Sequence, residues 1–205
     1  TMTTLVSYIN KKYRRHIITI EDPVEFIHQS EKSLINHREV GTNTHSFKKA
    51  LRSALREDPD IIVVGEMRDL ETTALAITAA ETGHVVFGTL HTTSATQTIE
   101  RVIDQYPPDQ QSQIRLMISE SLLLVISQVL LKKRDGGRVA AFEIMVGIPA
   151  VSNLIREAKT YQLSSILQTN ANMGMITMEQ SVTNLYNEEV IDKLEFDKYI
   201  SKYNN

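Results

Sequence analysis

Apolar residues fall at Met2, Leu5 and Ile9, the spacing of one helical face, and Lys11, Lys12, Arg14 and Arg15 gather where cations favour a helix C-terminus. The period then changes. His16-Ile17-Ile18-Thr19-Ile20 is short and β-branched, and Glu21-Asp22-Pro23 bounds it, which predicts a buried strand ending in a polar loop. Residues 28–45 are polar and contain Gly41, so they predict a loop with at most one short strand. Phe47, Leu51, Ala54 and Leu55 predict an amphipathic helix over 46–57 with Ser46 as its N-cap, closed by Asp58-Pro59-Asp60. Ile61-Ile62-Val63-Val64-Gly65 is a second apolar strand. Asp69 caps a helix through Ala80, Gly83 stops it, and residues 85–90 form a third strand ending at His91. Strands and helices alternating in this way predict a parallel sheet wrapped by helices.

In the second half, Ile114, Met117, Ile118, Leu122, Val125, Ile126 and Val129 read as one long helical stripe over 109–131. Asp135-Gly136-Gly137 turns the chain into a strand over 138–146. Beyond Pro149 the pattern is helical, over 150–157, 160–168 and 178–186, with a last polar segment from Leu194. The expected fold class is α/β, with a core over residues 1–147 and a small all-helical domain over 148–205.

Composition narrows the function. The 205 residues are 41% hydrophobic and 23% charged, an ordinary globular balance. With 22 Lys+Arg against 25 Asp+Glu the formal net charge is −3, which argues against nucleic acid as a partner. Cysteine is absent, so disulfides, thiolate metal sites and cysteine nucleophiles are excluded. No apolar run reaches the roughly 18 residues of a membrane span, and the first ten residues lack the pattern of a signal peptide. The expectation is a cytoplasmic chain without direct membrane insertion.

In open α/β sheets ligands bind at the carboxyl ends of the strands, and three polar clusters sit there. Glu21, Asp22 and Glu25 crowd the exit of the first strand, where neighbouring carboxylates can tune a general base; a solvated turn is the bland alternative. Glu66 follows the second strand, the place from which nucleotide hydrolases reach Mg²⁺ beside the β- and γ-phosphates. His91 ends the third strand on the same edge, while His84 begins it and reads as structural on geometry. The two histidines stand roughly 23 Å apart along a strand, so they cannot share a metal ion. No nucleophile-elbow pattern accompanies a serine.

These segments carry a resemblance. Residues 17–26 (IITIEDPVEF) resemble the Asp box, residues 52–69 (RSALREDPDIIVVGEMRD) the Walker B segment, and residues 82–91 (TGHVVFGTLH) the His box of the secretion ATPase superfamily. Within it they are most similar to the type IV pilus retraction ATPases. Residues 150–157 resemble that subfamily's AIRNLIRE motif but depart from it at Val151 and Ser152.

The resemblance implies a RecA-like P-loop core that hydrolyses ATP with Mg²⁺. Glu25 would be the general base, Glu66 the Walker B acid acting on the Mg²⁺ sphere through water, Asp22 an organiser, and His91 a sensor near the γ-phosphate. His84 matches the first histidine of the His box. It further implies a homo-hexamer at the inner membrane, peripheral to it, working with a platform protein and related pilus ATPases. Arg38 and Arg68 read as phosphate neighbours or as surface ion pairs.

The family's GxxxxGK[ST] loop does not occur in the 205 residues. The Thr-rich start at Thr1 resembles the helix that follows that loop, so Thr1 is expected beside the phosphates and the chain is expected to be an inactive fragment on its own. Two alternatives accompany the retraction motor: a pilus-assembly or type II secretion ATPase, which the missing cysteines of its zinc insertion disfavour, and a non-catalytic scaffold.

Overall fold

In the computed structural model, residues 1–203 are described, and the backbone divides into two compact units, 1–91 and 92–205. In the first unit α1 (Met2–Lys12) precedes β1 (His16–Glu21) and β2 (Leu34–Glu39). Next come α2 (Phe47–Ala54), β3 (Ile61–Val64), α3 (Leu70–Glu81) and β4 (Val85–Gly88). The strands lie in the order β2-β1-β3-β4, all parallel, with Ile20 beside both Arg38 and Val64.

Alternation along the central strands explains why both faces are covered. Ile18, Ile20, Ile62 and Val64 pack on Ala50, Leu51, Ala54 and Ala79 of α2 and α3. Ile17, Ile61 and Val63 turn the other way, against Val6, with Met2 and Ile9 of α1 beside them. Short polar caps set the helix starts: Ser46 accepts the Lys49 N–H, and Asp69 accepts the Thr72 N–H. Gly83, with φ of +99°, ends α3 in the left-handed region that other residues enter at a cost. The polar stretch over 28–45 does contain one strand, β2, on the sheet edge.

The second unit holds α4 (Ala95–Ile103), α5 (Pro108–Ser121), β5 (Leu124–Lys132), β6 (Arg138–Val146) and α6 (Pro149–Arg156). It continues with α7 (Leu163–Thr169), α8 (Met178–Asn187) and α9 (Lys193–Tyr203). Here the structure corrects the sequence reading. The long helical stripe breaks: α5 stops at Ser121, Leu122 is extended at φ −69° and ψ 120°, and the chain continues as β5, antiparallel to β6. The spacing of four between Val125 and Val129 satisfies a two-residue period as well as a helical one. Burial at Val125, Ser127 and Leu131 shows which period won.

The compact units part between His91 and Thr92. The reason is that β5 and β6 form their own two-stranded sheet. Leu131 and Ala141 of this hairpin share a core with Met178, Val182, Ile191 and Tyr199. Ile144 exchanges main-chain hydrogen bonds with Ile176. Among the described residues the elements from Pro149 to Tyr203 are helices, as the pattern suggests.

Candidate active site at the carboxyl edge of the sheet

Parallel strands bring four exits to one edge, and β1 and β3 are adjacent there. Gly65, leaving β3, donates its N–H to the Ile20 carbonyl at 2.8 Å. A Cβ at this position would stand 3.2 Å from that oxygen and 3.2 Å from the Glu21 Cα, so any larger residue would push the two exits apart by a few tenths of an ångström. The exits of β3 and β4 are also laced: Met67 donates to the Thr89 carbonyl at 3.0 Å, and the Thr89 hydroxyl donates to the Gly65 carbonyl.

That lacing sets Glu66 opposite His91. The Glu66 side chain is 14% exposed, and its carboxylate lies between the Arg68 guanidinium and His91 Nε2, the latter at 3.2 Å. The hydrogen bond from Arg68 chiefly holds the Glu66 carboxyl below its usual range, with His91 adding to it against the opposing cost of burial. Arg68 in turn is pushed further up by Glu66, with Asp22 contributing through space. Asp22 therefore belongs to the same charge cluster. His91, with a side chain 90% exposed, is open to a ligand.

Glu25 is exposed on the loop after β1, and its own N–H reaches Glu21 Oε2 at 3.4 Å. The preceding Val24 N–H donates to Glu39 Oε2 at 3.0 Å. That bond and the Thr42 hydroxyl hold the Glu39 carboxyl below its usual range. Glu21 belongs to the carboxylate cluster read from the sequence, whereas Glu39 was not singled out there. Glu39 lies on a strand whose alternation is masked, because Ile35 is its one buried apolar residue.

The remaining sequence candidates fall into two groups. Thr1 stands at the start of α1, where its carbonyl accepts the Leu5 N–H at 3.1 Å. Residues 13–15 link α1 to β1. His84 does not join the edge. It immediately precedes β4, and its Nδ1 lies 3.0 Å from the Ala79 carbonyl and 3.2 Å from the Thr82 hydroxyl, tying the end of α3 to the start of the strand. Arg38 is held in a bidentate pair with Glu57 at 2.6 and 2.8 Å, which makes it a structural ion pair, whereas Arg68 sits in the cluster.

Among the described residues no group of three or more His, Cys, Asp or Glu side chains could cage a metal ion. The edge nevertheless fits Mg²⁺ brought by a nucleotide. Such an ion keeps several waters and takes one or two carboxylates plus phosphate oxygens, and Glu66 is an ionised carboxylate of that kind. No described helix is long and apolar enough to cross a membrane.

The chain is similar to several known proteins. Residues 1–189 match the family described as Type II/IV secretion system protein. The type IV pilus retraction ATPase PilT of Pseudomonas aeruginosa is 56% identical over 193 residues, 94% of this chain and 56% of that protein. A twitching motility protein of Neisseria gonorrhoeae is 57% identical over 192 residues, 93% of this chain and 51% of its own length. A crystal structure of the pilus retraction motor PilT with bound ADP superposes with a TM-score of 0.90 at 49% identity, covering 97% of this chain and 56% of that one. The chain thus spans about half the length of the curated relatives it matches. By sequence and by fold, the chain belongs to the type II/IV secretion system protein family.

Proposed function

We propose that these residues are the hydrolytic core of an ATP-driven motor that powers type IV pilus retraction. The observation that supports this most is the contact of Glu66 with Arg68 and His91 at the carboxyl edge of one parallel sheet, with Glu25 on the loop that leaves the adjacent strand β1. Phosphoryl transfer to water asks for positioning and charge stabilisation more than for covalent chemistry, and this edge supplies both. Glu25, exposed and unencumbered by a cation, takes the proton of the attacking water. Glu66, kept ionised by Arg68 and His91, would hold Mg²⁺ through water. His91 reports on the γ-phosphate, and Asp22 holds Arg68 in the cluster. Mg²⁺, when bound with ATP, neutralises charge on the β- and γ-phosphate oxygens. Thr1 opens a helix whose N-terminal dipole favours phosphate, while His84 braces the far edge.

The motor works as a homo-hexamer on the cytoplasmic side of the inner membrane, against a platform protein and beside related pilus ATPases. The phosphate-gripping GxxxxGK[ST] sequence is not among the 205 residues, so they hydrolyse ATP negligibly unless joined to such a loop.

The test is Mg²⁺-dependent ATPase activity of the protein that carries this sequence, with Glu25→Ala and Glu66→Ala. Each should lower kcat by about 10² to 10³. Near-parental turnover in both variants would refute the assignment. Robust hydrolysis by the isolated 205 residues would show that the phosphate site is misplaced.

A further inference from the structure

The loop that carries Glu25 is held in an unusual way. Among the described residues, the stretch over 22–28 makes no main-chain to main-chain hydrogen bond, although it leaves a central strand whose inner residues are buried. Its amides are caught by side chains instead. Val24 donates to Glu39 Oε2 at 3.0 Å, Glu25 to Glu21 Oε2 at 3.4 Å, and His28 to His37 Nε2 at 3.0 Å.

His37 and Glu39 are two apart on β2, so their side chains leave the strand on one face. His37 Nε2 faces both the His28 N–H at 3.0 Å and the His28 carbonyl at 3.3 Å, and its Nδ1 lies 2.8 Å from the Thr19 hydroxyl; the tautomer that accepts the His28 N–H carries its proton on Nδ1, toward Thr19. Thr19 is buried on β1, so the imidazole is locked in place from the centre of the sheet. The rings of His28 and His37 stack at 6.0 Å and 10°, and Glu21 Oε1 stands 3.9 Å from His37 Nδ1. Burial, and next the nearby His37, keep the His28 ring below its usual range, which favours a neutral His28.

We propose that His37 and Glu39 are positioning residues for Glu25, a two-point side-chain clasp from β2 that grips the loop at His28 and Val24, on either side of the base. The proposal rests on the reading of Glu25 as the group that takes the proton from water. Neither clasp residue touches the nucleotide; both act by fixing where the Glu25 carboxylate stands.

Two readouts test it. In the ATP-hydrolysing protein, His37→Leu removes the acceptor and His37→Gln restores one. His37→Leu should lower kcat by about ten- to a hundredfold, as expected for a misplaced catalytic group, while the KM for ATP stays within about twofold. His37→Gln should recover most of that loss. In the 205-residue chain, amide hydrogen exchange at His28 should quicken by about tenfold in His37→Leu and remain slow in His37→Gln. Glu39→Ala should release Val24 by a similar factor while His28 stays protected, which covers the case in which His37→Leu does not fold.

Parental kcat in His37→Leu, equal loss in the Leu and Gln variants, or unchanged exchange at His28 would each overturn the clasp. Glu25→Gln is measured alongside. If it turns over like the parent, the functional reading fails, and the clasp is decided by the exchange rates alone.

Discussion

Gly65 is where packing and chemistry meet, and Gly65→Ala perturbs both by a known amount. The added methyl would sit 3.2 Å from the Ile20 carbonyl oxygen and 3.2 Å from the Glu21 Cα. Both are main-chain atoms, and the oxygen already accepts the Gly65 N–H at 2.8 Å, so no flexible side chain can yield. The exits of β1 and β3 must part by a few tenths of an ångström against a packed core, a strain of about 1–3 kcal/mol. Glu66 is the next residue and Glu21 carries the amide of Glu25, so the same displacement shifts the acid and the base relative to each other. The expected result is a kcat about tenfold lower with the KM for ATP little changed, together with a lower urea midpoint for unfolding. Parental activity and parental stability in Gly65→Ala would refute the claim that this close approach sets the geometry of the site.

Three further outcomes follow from the same coordinates. Glu143 accepts the first-turn amides of both α4 and α8, from Ala95 at 2.7 Å and Met178 at 3.3 Å. Glu143→Ala should therefore cost about 2–4 kcal/mol in urea unfolding, and Glu143→Gln about half of that; a cost under about 0.5 kcal/mol for both would contradict it. The Glu66 carboxyl is held below its ordinary 4.5 chiefly by Arg68. Its ionisation therefore favours the folded state fully above about pH 4.5, and that gain is lost as pH falls through the lower folded value. Arg68→Ala should move the Glu66 midpoint up toward 4.5 in a carboxyl carbon-13 NMR titration, and an unmoved midpoint would show that Arg68 is not the cause. Finally, His91→Ala should lower kcat by about tenfold or more, whereas His84→Ala should cost about 1 kcal/mol of stability with kcat within about threefold. The reverse order would place the sensor at the wrong end of β4.

The parallel sheet was legible because its central strands are unbroken apolar runs that end in acids. Ile61-Ile62-Val63-Val64 followed by Gly65-Glu66 states both the strand and its functional tip. Caps at Ser46 and Asp69 were legible for the same local reason. What was hidden needed partners distant in sequence. Val125 to Val129 fits a helix and a strand equally, and only pairing with β6 decides it. His37 and Glu39 looked like members of a polar loop, because their role depends on the His28 and Val24 amides, nine and fifteen residues away. Arg38 and Arg68 looked alike in sequence, and their partners Glu57 and Glu66 distinguish them.

The central claim, that Glu25 takes the proton of the attacking water at this sheet edge, is tested most directly by a single-turnover experiment on Glu25→Gln in the protein that carries this sequence. The variant should bind Mg²⁺–ATP with near-parental affinity and hold it unhydrolysed, the chemical step slowed by about 10² or more. A Glu25→Gln protein that cleaves bound ATP at the parental rate would contradict the account.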